Sequence, residues 1–162
     1  MFSKTIFTFK NLPNSLKINH NKFYLTSGLY LLLSIINGYI FGWINSHFNQ
    51  EIGQSDISIL SFMDKLFLIV FFAPIIETLG FQYIPIEFSL KYLKRDWAAI
   101  LLSSLLFCSL HIYNPVYTIM AFIGGIILSR YYLFVRKQNK IPLIYTILFH
   151  SIYNLYGLLF VN

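Results

Sequence analysis

Charge is scarce in this chain: Asp, Glu, Lys and Arg together make up 11% of its 162 residues. A soluble fold of this size needs roughly a quarter of its residues charged to cover its surface, so a water-facing globular domain is excluded. Cysteine occurs once, as Cys108 inside an apolar run. That excludes an intramolecular disulfide framework and leaves the thiol a packing role. Acidic residues number six against twelve basic ones, for a net charge of +6. No compact basic domain and no interleaving of basic with aromatic residues accompanies that excess, so nucleic acid is not an expected partner. An internal repeat of the kind many carriers contain is also missing.

Apolar residues are what the chain has in abundance, at 57% with a mean hydropathy of +0.64. Several runs reach the roughly 20 residues that a helix needs to cross about 30 Å of hydrocarbon. Five spans are predicted, at Phe23 to Trp43, Leu66 to Phe88, Trp97 to Tyr113, Val116 to Phe134 and Ile141 to Val161. The fold class is therefore all-α, a polytopic transmembrane helix bundle of about five spans over residues 23–162, behind a basic N-terminal arm over residues 1–22. The arm resembles the charged front of a signal peptide, but the apolar run after it is too long and lacks a small-residue cleavage site, so it is read as retained.

Four connections join the spans. The longest is polar, Asn45 to Ser58, with Glu51 and Asp56, and has room for a short interfacial helix. Lys91 to Asp96 is short and basic, Asn114-Pro115 is a sharp break, and Arg136 to Lys140 leads into Pro142. Placing the arm in the cytoplasm gathers the basic connections on that side and leaves Lys65 on the other, as the positive-inside rule requires. The expectation is an integral protein of the cell (inner) membrane, N-terminus inside, in contact with membrane lipid.

A charged side chain at mid-bilayer costs roughly 2.5–3.5 kcal/mol even on the lenient insertion scale, so each needs a reason. Glu77 sits mid-span in Phe71-Phe-Ala-Pro-Ile-Ile-Glu-Thr-Leu-Gly80. His111 follows Phe107 by four residues in the third span, and Asn154 follows His150 by four in the fifth; each pair shares a helical face. Counting helical rise from the cytoplasmic ends puts His150 about 12 Å in, Glu77 about 16 Å and His111 about 21 Å, close enough for the three to meet. Pro74, one turn before Glu77, cannot bond the carbonyl of Val70 and is expected to leave it free. Gly80 permits a close approach. Such residues also serve as polar glue between helices. A Glu, two His and an Asn on three helices at similar depth favour a functional site. His20 and His47, in the arm and the loop, are given no role.

An apolar setting suits Glu77 to take a proton from water and return it to a leaving group, as general base and acid. His150 and Asn154 can donate to a developing oxyanion, and His111 can hold the water. That set describes hydrolysis of an amide. Glu77, His111 and His150 equally amount to a two-His, one-carboxylate zinc site with an open position. A third possibility is a proton relay in a carrier or pore.

The order of these pieces resembles the CPBP family of intramembrane proteases, also called the Abi or CAAX-protease family. Its pattern is Glu-Glu-x-x-x-Arg, then Phe-x-x-x-His, then His-x-x-x-Asn on successive membrane helices. Phe107 and His111 match the second motif, and His150 and Asn154 the third; the resemblance runs from about Phe71 to Tyr156. It implies catalytic roles for Glu77, His111, His150 and Asn154, and a peptide or protein substrate at the membrane. The first motif departs, with Thr78 and Gln82 where the family has Glu and Arg. Losing both together keeps the charge balanced, and Thr78 and Gln82 are expected to support the site by hydrogen bonding, as Phe107 does by packing. An alternative implied by the altered motif is a non-catalytic relative acting in partner binding or bacteriocin immunity.

Overall fold

The computed structural model describes residues 20–47, 59–112 and 114–161. The arm as far as residue 19, and the part of the first connection that holds Glu51 and Asp56, lie outside them. The described residues form helices and no strand: α1 (His20–His47), α2 (Phe62–Tyr92), α3 (Asp96–Cys108, continued by a 3-10 turn at Ser109–His111), α4 (Pro115–Lys137) and α5 (Pro142–Phe160). The expected all-α membrane bundle is what the chain forms. α1, α2, α4 and α5 are long and apolar enough to cross a membrane. α3 is apolar but shorter: its 13 α-helical residues rise about 20 Å, less than the hydrocarbon thickness. The expected third span ran to Tyr113. Instead the α-helix ends at Cys108 and tightens into a 3-10 turn over Ser109–His111.

Local chemistry sets the helix boundaries. Asn114-Pro115, expected as a break, is a helix start. Asn114 Oδ1 accepts from the backbone N–H groups of Val116 (2.9 Å) and Tyr117 (3.1 Å), and Pro115 occupies the first turn, where a missing N–H does no harm. α1 continues through Asn45, where the polar connection was expected to begin, because Asn45 Oδ1 accepts from Asn114 Nδ2 at 3.0 Å and is buried by it. At the ends of α2 and α4, Lys94 (φ 54°) and Asn139 (φ 53°) take the left-handed conformation that turns each chain into its basic connection.

α4 is the hub, packed against α1, α3 and α5. Its approach to α3 is closest at Gly125, where an added Cβ would stand 3.0 Å from the Cα of Ser104. Small residues bring helices together in lipid, and buried Ser103, Ser104 and Ser129 line the same contact. α1 is tied on by Asn37 Nδ2 donating to the carbonyl of Met120 at 3.0 Å. An aromatic cluster of Phe23, Tyr131, Phe134 and Phe149 closes one end. At that end Lys140 lies over the rings of Phe23 and Tyr145, and the pairs Arg136–Glu87 (3.0 Å) and Lys137–Asp96 (2.7 Å) join α4 to α2 and α3. The outward faces carry exposed Leu29, Leu32, Phe67, Phe71, Leu105 and Leu148, as lipid-facing helices do.

Candidate active site

α2 holds the centre of the site, and its backbone is irregular there. Two π-helical stretches, Leu66–Phe72 and Thr78–Tyr83, flank the α-helical turn Ala73–Glu77. Each is followed within two residues by a proline, Pro74 and Pro85. The first consequence corrects the expectation for Val70. In the π register the Ala73 N–H bonds the carbonyl of Leu68, five residues back. The bond due next would run from residue 74 to Ile69, and proline has no N–H to make it. The carbonyl left over is therefore that of Ile69, and Asn154 Nδ2 on α5 donates to it at 2.9 Å. Beside the second proline, where the Ile84 N–H bonds Leu79 and the same register leaves the Gly80 carbonyl over, Ser103 Oγ on α3 donates to the next carbonyl, that of Phe81, and Ser129 Oγ on α4 donates to Ser103 at 2.8 Å. A side chain from a neighbouring helix thus bonds the α2 backbone near each proline, on either side of the turn that carries Glu77.

From that turn Glu77 reaches His150 on α5, with Oε2 3.6 Å from Nε2. The imidazole is 4% exposed and the carboxyl 21%. The carboxyl therefore keeps an open side while its partner is enclosed. On the opposite edge of the same ring, Thr78 Oγ1 lies 3.4 Å from Nδ1. In the tautomer that carries its proton on Nε2, facing Glu77, Nδ1 accepts from the Thr78 hydroxyl.

His111 stands at the end of the 3-10 turn. Its Nδ1 meets the carbonyl of Phe107 at 3.0 Å, and since a carbonyl only accepts, Nδ1 carries the hydrogen and Nε2 is an acceptor. Thr118 Oγ1 donates to the backbone carbonyl of His111 at 2.6 Å, holding the turn against α4. The Phe107 ring touches both imidazoles, 5.1 Å from that of His111 and 5.8 Å, edge to face, from that of His150. Among the expected residues the arrangement joins Glu77, Thr78 and His150 directly, brings His111 against the Phe107 ring that also meets His150, and ties Asn154 to α2 one turn further along α5. Gln82 is fully buried one turn beyond Thr78. Tyr117, whose ring is 5.2 Å from that of His111, was not foreseen; its place in the first turn after Asn114-Pro115 was the available signal.

Among the described residues no three His, Cys, Asp or Glu side chains are grouped to hold a metal ion. The site offers a carboxyl with an open side, an imidazole buried beside it with Thr78 at its other nitrogen, and an amide with a second hydrogen to give.

The family model described as type II CAAX prenyl endopeptidase Rce1-like matches residues 59–156, well over half of the chain and all of the residues just placed. No curated protein and no solved structure matches the chain. The chain belongs to the Rce1-like type II CAAX prenyl endopeptidase family, and is thus an integral membrane protein of an endopeptidase family.

Proposed function

We propose that this protein is an intramembrane endopeptidase in which Glu77 activates water against a peptide bond of a membrane-associated peptide or protein. The observation that supports the reading is the Glu77–His150 pair, 3.6 Å apart inside an apolar bundle, with the carboxyl open on one side. Water attacks the carbonyl carbon and gives one proton to Glu77. The carbonyl oxygen becomes an oxyanion, stabilised by the Nε2–H of His150 and the second amide hydrogen of Asn154. The C–N bond then breaks as Glu77 passes its proton to the leaving nitrogen. His111, whose Nε2 is an acceptor, holds the second hydrogen of the attacking water. Prenylated substrates enter the proposal only through the family's description; this chain's residues select for position at the membrane.

The ion pairs Arg136–Glu87 and Lys137–Asp96, with Lys91, Lys94 and Arg95, gather at one end of the bundle. We place that end in the cytoplasm of a cell-membrane protein. Purified protein in liposomes should cut membrane-anchored peptides, with mass spectrometry showing a new carboxyl terminus near the anchor. A broad panel of such peptides left whole by the wild-type protein would overturn the proposal.

A further inference from the structure

Among the described residues, four buried side-chain atoms lack a hydrogen-bond partner in the protein: Nε2 and Oε1 of Gln82, Oγ of Ser89 and Oγ1 of Thr146. Three of them fall at one level. Asn154 meets Ile69 and His150 meets Thr78, so α2 and α5 run antiparallel. One turn onward along α2 is Gln82, and one turn back along α5 is Thr146, both with no exposed surface. The register therefore sets the Gln82 amide opposite the Thr146 hydroxyl, one turn past the Thr78–His150 contact. An amide has two donor hydrogens and two acceptor lone pairs, and leaving such groups unpaired in an interior is destabilising. Leucine and valine would fill these positions without that cost. Buried water is the usual partner of polar groups so placed, making about three hydrogen bonds.

We propose that Gln82 and Thr146 form a hydration site, in which ordered water bridges the amide to the hydroxyl and reaches the Thr78 hydroxyl. That hydroxyl has one hydrogen, and an acceptor on each side of it would compete for it. Water donating to Thr78 Oγ1 turns the hydrogen toward Nδ1 of His150, which keeps the Nε2 proton facing Glu77. Gln82 and Thr146 are then positioning residues, and this last step rests on the peptidase reading of His150; the hydration itself does not. The neutral pair Thr78 and Gln82 thus encloses water in a layer that also includes the Ser103–Ser129 hydroxyls.

The test reads water and stability without turnover. In nanodiscs, with glutamine side chains labelled with nitrogen-15, the Gln82 amide should show a cross-peak to water that Thr146→Val abolishes. The same substitution should move the His150 ring nitrogen shifts away from the pattern of a protonated Nε2. Thr146→Val and Gln82→Leu should each lower Tm by about 2–6 °C, and the double variant should recover to within about 2 °C of wild type, since no polar group is then left unpaired. Thr146→Val is isosteric and keeps the test decisive if Gln82→Leu does not fold. Absence of the water cross-peak, or a rise in Tm in either single variant, would overturn the hydration site. If the cross-peak and the coupling are found in a protein that cuts no peptide, the hydration site stands and the peptidase reading falls.

Discussion

His150 is contacted at both ring nitrogens by residues of α2, Glu77 at Nε2 and Thr78 at Nδ1. Removing either contact has a different signature. Thr78→Val keeps the shape and removes the hydroxyl, so kcat should fall about tenfold while KM changes little, because Thr78 has no exposed surface. Thr78→Ser should restore most of the rate. Asn154→Ala strips the donor from the Ile69 carbonyl as well as from the oxyanion. It is expected to destabilise the protein by about 1–3 kcal/mol and to slow turnover, seen as a lower Tm and a lower kcat in the same preparation. The carboxyl and imidazole were legible in the sequence because charge and polarity inside an apolar run are conspicuous. Thr78 was legible only as a substitution in a motif; its contact with Nδ1 depends on the rotation of α2 relative to α5, which no spacing encodes.

At the scale of helices, α2 departs furthest from a regular pattern. Pro74 was visible, and so was its missing N–H, but the carbonyl it leaves over belongs to Ile69 and not Val70. A π turn shifts the hydrogen-bond register by one residue, and nothing in the residues Leu66 to Phe72 distinguishes a π from an α turn. Pro74→Ala returns an N–H to that register, where it competes with Asn154 for the Ile69 carbonyl. The variant should be at least as stable as wild type, yet turnover should fall roughly ten- to hundredfold, as displacement of a catalytic group by about 1 Å does. A variant as active as wild type would show that the irregularity of α2 has no part in the site. The short α3 was likewise not readable, because its apolar composition continues past the point where Ser109 and the Asn114 cap end it. The α3–α4 contact can be checked separately. Gly125→Ala forces the Ser104 backbone away and should destabilise by about 1–3 kcal/mol, whereas Gly28→Ala, with nothing within 4 Å of its added carbon, should leave Tm unchanged.

For the molecule as a whole, the all-α membrane bundle followed from how little charge the chain has and how long its apolar runs are. Topology is the part that charge distribution alone carries. In a Cys108→Ser background, Ser61→Cys should react with a membrane-impermeant maleimide added to intact cells, and Lys94→Cys should react only after the membrane is opened. The reverse pattern would invert the bundle and with it the face from which water and substrate reach Glu77. Metal dependence is read separately: if Glu77 alone activates the water, chelation should leave turnover unchanged, and loss of turnover with stoichiometric zinc would place a metal beside it.

The central claim is that Glu77 is the group that activates water. Glu77→Gln preserves size and a polar oxygen facing His150 while removing the base. Its turnover of a membrane-anchored peptide, measured beside wild type in the same liposomes and with Tm shown to be preserved, should fall about 10²- to 10⁴-fold. Turnover equal to that of wild type would contradict the account.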